Sequence, residues 1–414
     1  MHRTASPAHP WRDIYERQAA DAAALWQLHA IAVHQPDYRP DDLSQLERRI
    51  DSRLHALMHR ADLGWNACEQ GLEWEQGGES FAAAMLAFRR DDSTHIARVL
   101  EAGFLSHDTF RGLASALSWL PEERSSAWTQ TFMASRDPDH RHLALASCEI
   151  RAQDPGQELT HLLQRDDSPA HTALFARCLR LAGVFKHAEL AARVDAATGS
   201  DDESVRFWAI WSSILLGLDH TPELKPYVLT ANPWQRHAVQ LAFRVLAPET
   251  AKEWINELAQ DAIQARHALK AIMTLGDPDA MPWLIEAMQE PLLARLAGEA
   301  FSTLTGSDLT REGLAFERPP VSIDLLDEQD PNVIIEDDKL PWPDPDAVTD
   351  AWKRTVSHYR RGERYFLGRP IDPEHLHRAL IGGYQRQRHA AALELALRHP
   401  TLPLPNTCAK QVAS

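Results

Sequence analysis

Between residues 79 and 306 apolar positions recur at helical spacing in successive blocks. Each block opens on an acidic or polar residue, runs as a helix, breaks, and runs as a second helix. The openings stand at Glu79, His107, Asp137, Asp166, Asp201, Asn232, Asp261 and Glu290, with spacings of 28, 30, 29, 35, 31, 29 and 29 residues. A period of this length predicts stacked two-helix units, about eight of them. Seven residues after each opening stand Leu86, Ala114, Ala144, Ala173, Trp208, Val239, Ala268 and Ala297. Three further on, from the second unit, come Leu117, Ser147, Ala176, Trp211, Ala242, Ala271 and Ala300. Positions three apart share a helix face, and mostly small side chains there let neighbouring helices lie close. Asp137, Asp166, Asp201, Asn232 and Asp261 suit N-caps, and Pro138, Pro233 and Pro291 suit first helical turns.

A further column, five residues after the opening, holds His142, His171, Arg206, His237, Arg266 and Arg295. Stacking would bring them into line, each within reach of the next unit's opening acid. They are read as a structural ladder between repeats rather than an active site.

The flanks differ from the array. Residues 1–78 predict helices over 11–31 and 43–57 that close the first repeat's apolar face as an N-terminal cap. Residues 307–346 break the pattern, with nine acids, four prolines and one lysine between Asp324 and Asp346. That composition predicts a linker or arm instead of a helix. Its apolar patches, Val333 to Ile335 and Leu340 to Trp342, suggest docking, on this chain before a partner. Residues 347–414 predict a C-terminal helical module, with a break at Gly382 and Gly383 and an irregular Pro-rich tail. The fold class is thus all-α: an α-solenoid with a helical cap at one end and a helical module at the other.

Charge narrows the partners. Fifty-nine acids against forty-three bases give a net charge of −16, which repels a phosphate backbone and disfavours nucleic acid. The start of the chain has no signal-like apolar core, and the run from Ala209 to Leu218 is too short and too interrupted to span a bilayer. Cys68, Cys148, Cys178 and Cys408 are scattered, with no C-x-x-C spacing. A cytoplasmic protein without a membrane partner is the expectation.

Candidate chemistry is sparse. Phosphate-binding glycine loops, the G-x-S-x-G elbow and the H-E-x-x-H zinc signature are absent from the sequence. His55 and His59, four apart on a predicted helix, lack a third ligand at local spacing, so no metal or cofactor is expected. His140/His142 and His375/His377, two apart, point to different helix faces. The His-Glu dipeptides of di-iron hydroxylases built on related repeats are also missing. The chain is therefore read as a non-enzyme that binds another protein, with Trp342, Trp352 and Tyr365 as candidate partner-contact residues. The alternative is an enzyme whose groove residues are too dispersed to recognise.

Two resemblances add to this. The segments opening at Asp261, Leu275 and Glu290 resemble short HEAT-like repeats. The phrases Glu299 to Leu309, Leu340 to Pro345, Gly362 to Gly368 and Gly383 to Leu397 resemble an uncharacterised proteobacterial HEAT-like-repeat family found in type VI secretion gene clusters. That resemblance implies an accessory role, adaptor- or chaperone-like, for a secreted effector or spike component, or an immunity-like role that neutralises an effector.

Overall fold

The computed structural model describes residues 11–164, 171–318 and 336–411. Three helices come first: α1 (Arg12–Ala32), α2 (Pro40–His59) and α3 (Ala61–Gly71). Helix pairs follow: α4 (Gly77–Arg90) with α5 (Ser93–Gly103), α6 (His107–Trp119) with α7 (Glu122–Met133), and α8 (Pro138–Ile150) with α9 (Gln157–Gln164). Next are α10 (Thr172–Val184) with α11 (Ala191–Ala196), and α12 (Glu203–Leu215) with α13 (Lys225–Leu229). The last pairs are α14 (Gln235–Val245) with α15 (Pro248–Ala259), and α16 (Ala265–Leu275) with α17 (Met281–Ala287). The eighth unit contributes a first helix, α18 (Ala294–Thr305), and continues as turns to residue 318. The molecule is an all-α, helical-repeat, solenoid-like array, and α1 packs against α2, α3 and α4 to cover its first unit.

First helices stack on first helices from α4 through α12 and again from α14 through α18. Between α12 and α14 aromatic rings make the join: Phe207 stacks on Trp234 at 5.5 Å and Trp208 meets His237 edge-on at 5.3 Å. The small-residue columns sit in these contacts. Ala114, Ala144, Ala268 and Ala297 are buried, as are Leu117, Ser147, Ala176, Trp211, Ala242, Ala271 and Ala300. Ala173 is exposed, because the fourth unit begins later than its spacing predicts. His171 is the N-cap of α10, and Asp202, accepting from Val205 N at 2.9 Å, caps α12 in place of Asp201. The extra residues therefore lie before α10 and not after it. Asp166 falls outside the described residues.

Glycine lets α6 lie close on α4. A Cβ at Gly112 would stand 2.0 Å from the Gly77 carbonyl oxygen and 2.9 Å from Phe81 N, both backbone atoms that cannot swing aside. Gly112→Ala is expected to force the two helices apart and lower stability by about 2–3 kcal/mol. Gly199→Ala, with nothing within 4 Å, is expected to stay within about 0.5 kcal/mol of the parent. Urea denaturation of the two variants makes the comparison.

The acidic arm lies on the array where it is described. Asp337 forms a two-pronged ion pair with Arg266, both contacts at 2.8 Å, and Glu336 joins Lys270 at 2.8 Å. Trp342 is 8% exposed, with the Arg295 guanidinium 4.9 Å from its ring centre, and its carbonyl accepts from Phe316 N at 2.9 Å. The patch Val333 to Ile335 falls outside the described residues.

The C-terminal elements are α19 (Pro345–Thr355), a hairpin of β1 (Tyr365–Phe366) and β2 (Arg369–Pro370), α20 (Pro373–Gly382) and α21 (Gln385–Arg398). The hairpin plugs onto the ends of α16 and α18. Tyr365 N donates to Gly276 O at 2.8 Å, and Leu367 N to Thr303 O at 2.6 Å. Gly276 ends α16 at φ +70°, and a Cβ there would strike the Tyr365 carbonyl oxygen at 2.3 Å, so the left-handed turn and the docking both require glycine. From there α21 runs inside the curve and joins its two ends. Gln385 Nε2 donates to Val33 O at 3.1 Å, while Arg386 donates to His34 O at 3.0 Å and pairs with Glu299 at 2.6 Å.

Candidate functional site

Closure leaves a half-open chamber of about 1310 Å³. Its walls are the first helices from α6 to α18, the end of α1, α21 and the tail from Leu404 to Cys408. The chain as a whole is acidic, yet Arg111, Arg177, Arg180, Arg236, Arg244 and Lys270 all face this space. Most are answered. Glu149 pairs with Arg177 and, at 2.8 Å, with Arg180. Glu394 pairs with Arg364, Arg244 and Arg398, and Lys270 is held by Glu336. Burial opposes the charge on Glu336, but Lys270, Arg386 and Arg266 bring its pKa down to about 2.

The tail runs across the ends of the inner helices in reverse repeat order. Leu404 N donates to Val184 O at the end of α10, at 2.8 Å. Asn406 Nδ2 donates to Glu149 O at 3.0 Å and Ile150 O at 2.9 Å, at the end of α8. Lys410 Nζ lies 4.9 Å from the Trp119 ring centre on α6 and 2.8 Å from Asp51 on α2. Gln411 N donates to both oxygens of Glu47 at 3.0 Å, and the same carboxylate meets His29 Nε2 at 3.1 Å. The last carbonyls of a helix have no partner within it, and here the tail's amides supply one. From Leu404 to Asn406 the tail advances one repeat in two residues. An extended chain covers roughly 7 Å in that length, close to the distance of about 8–10 Å between packed helices.

One face of the chamber gathers three ligating side chains from distant segments: His34 after α1, His389 on α21 and Cys408 in the tail. Their ligand atoms lie within 4.8 Å of one another, and Cys408 Sγ is 3.9 Å from His389 Nε2. His34 keeps much of its surface open to the chamber, yet desolvation by the surrounding walls, followed by the positive charge of Arg236, lowers it to about 3. Burial likewise lowers His389 to about 4, and raises the Cys408 thiol to about 11. No local spacing in the sequence joins these residues, since His34 and Cys408 sit at opposite ends of the chain.

The sequence-selected residues are placed as follows. His142 stacks on Phe110 at 4.5 Å, and burial, with Arg177 and His107 nearby, lowers its pKa to about 3. His171 is exposed at the head of α10. Arg206 donates to Ser200 O of its own loop at 2.6 Å and to Tyr227 Oη at 3.1 Å. His237 projects into the chamber against Trp208, while Arg266 and Arg295 bind the acidic arm. The six do not form one continuous ladder among the described residues, because His171 is exposed and loop carbonyls, rings and the arm engage the other five separately. Tyr365, at 4% exposed, packs against Tyr359, and so does Trp352. Trp342 and Tyr365 thus bind the chain to itself, and neither ring is offered to a partner in this conformation.

No helix among the described residues is long and apolar enough to cross a membrane. No protein-family model, curated protein or solved structure matches the chain.

Proposed function

We propose that this chain is a non-catalytic HEAT-like-repeat scaffold that binds another protein, taking an extended segment of it across the ends of its inner helices. The observation that carries this reading is the tail itself. Residues 404 to 411 lie there as a peptide, held by Val184 O, Glu149 O, Ile150 O, Asp51 and Glu47. The acceptors on α10 and α8 are backbone carbonyls, met on α10 by the Leu404 amide and on α8 by the Asn406 side chain, so the groove selects for spacing and a side-chain amide, while the carboxylates of α2 favour a basic end. A groove that fits its own tail fits a partner segment of the same kind. The resemblance to the type VI secretion family supplies the proposed setting, an accessory, adaptor- or chaperone-like factor for an effector or spike component, acting in the cytoplasm.

The full-length chain, captured from its native cell, is expected to bring down one protein in stoichiometric amount. Hydrogen exchange at residues 404 to 411 is expected to rise in that complex, because the partner's segment replaces the tail. A complex that leaves tail exchange unchanged, or no stoichiometric complex at all, overturns the proposal.

A further inference from the structure

We propose that His34, His389 and Cys408 form a binding site for a single zinc-class divalent ion that fastens the tail to the N-terminal cap and to α21. The donor set is two imidazoles and one thiol, the mixture that zinc takes in tetrahedral sites, and the three ligand atoms lie within 4.8 Å of one another. With bonds of about 2.0–2.3 Å, a tetrahedral ion places its ligand atoms roughly 3.3–3.8 Å apart. Cys408 Sγ and His389 Nε2, at 3.9 Å, already meet that separation. The His34 ring, whose centre is 5.4 Å from that of His389, has to move inward by about 1 Å, a rotation about its side-chain bonds. Nothing holds it back, since its ring nitrogens make no hydrogen bond among the described residues and its side chain faces the chamber.

The surroundings fit a ligand role for His389. Its Nε2 stands 2.8 Å from Val33 O, and its Nδ1 meets the Thr407 hydroxyl. A hydroxyl both donates and accepts, so Thr407 serves either tautomer. When the His389 ring turns so that Nε2 leaves Val33 O for the ion, Val33 O keeps the Gln385 side-chain amide at 3.1 Å, and the proton sits on Nδ1 and donates to Thr407. Asn406 Oδ1 accepts from Cys408 N at 2.9 Å and holds the turn that presents the sulfur. On binding, the thiol proton leaves to solvent and the thiolate offsets one of the ion's two charges. Arg236, on the facing helix α14, opposes the remaining charge and favours the thiolate. The fourth position opens to the chamber and takes water. None of these features depends on what protein the array binds.

The test uses the chelator-treated full-length chain with zinc or cobalt(II) as the only addition. After desalting, one ion per chain is expected to remain, and the cobalt form is expected to show a thiolate charge-transfer band in the near ultraviolet. Cys408→Ser is expected to remove the band. His34→Gln, which breaks no hydrogen bond of the metal-free fold, is expected to weaken zinc at least about tenfold. A His55→Ala/His59→Ala variant, at two histidines exposed on α2, is expected to bind as the parent does. Zinc is also expected to slow proteolysis of residues 404 to 411 in the parent and not in His34→Gln. Absence of uptake, a cobalt spectrum without the thiolate band, or zinc affinity unchanged in both His34→Gln and Cys408→Ser each overturns the assignment.

Discussion

Replacing Glu394 with alanine is expected to destabilise the protein by about 3–5 kcal/mol and to release α21 from the interior of the array. The side chain of Glu394 is 7% exposed and that of Arg244, opposite it on α14, is 3% exposed, their nearest charged atoms being 3.7 Å apart. Arg364 reaches the same carboxylate from the loop before β1 and also donates to Leu275 O at 2.8 Å and Thr274 O at 3.2 Å. Burial already weakens the hold of Arg244 on its proton, lowering its pKa to about 10. Without Glu394 a guanidinium is left buried with no anion, and the cost is that of the stranded charge more than of the lost attraction. Urea denaturation measures the loss, and faster hydrogen exchange at Gln385 and Arg386 measures the release. Pairing Glu394→Leu with Arg244→Met is expected to restore part of the stability, because those two positions then need no partner while Arg364 keeps only its carbonyl acceptors. A double variant as weak as Glu394→Ala would show that the carboxylate acts some other way.

How far the sequence disclosed this arrangement depends on whether the signal is local. The small-residue columns were legible because stacked helices require them at fixed intervals, and Ala144, Ala268 and Ala297 are buried where the spacing put them. The fourth unit slipped because a loop insertion shifts the count without changing the pattern on either side. Two aspartates in succession, Asp201 and Asp202, each suit an N-cap, and only the second accepts the Val205 amide. The acids of the arm were legible as breakers of helix periodicity, whereas the pairing of Asp337 with Arg266 joins residues 71 positions apart. Closure was harder still. Gln385 and Val33 stand 352 residues apart, and no window of sequence contains both. The His34, His389 and Cys408 cluster depends on that closure. Four cysteines without zinc spacing are a sound reason to expect no local finger, and they say nothing about ligands assembled from the two ends of a curved array.

Acidification from pH 7 to pH 5 is expected to lower stability by about 4 kcal/mol through His142 and His267 alone, both held neutral inside the fold. Burial first, then Arg177 and His107, lowers His142 to about 3, and burial with Lys270 and Arg266 lowers His267 to about 4, against 6.5 for each when unfolded. Below pH 6.5 the unfolded chain takes up these protons and the folded chain does not, so each group stabilises the fold fully above that pH. The contribution is lost as pH falls from about 6.5 toward the folded values. At pH 5 the difference is worth about 2 kcal/mol for each residue, since one unit corresponds to about 1.4 kcal/mol. Glu336, held at about 2, begins to destabilise only below its unfolded value of 4.5, so the interval between pH 7 and pH 5 isolates the histidines. His142→Gln is expected to reduce the loss between pH 7 and pH 5 by about 2 kcal/mol, while weakening the parent fold at pH 7 through loss of the Phe110 stack. Urea midpoints at both pH values provide the measurement. A parent stability that is flat over this range would mean that these imidazoles accept protons in the folded chain, with nearby carboxylates compensating their charge.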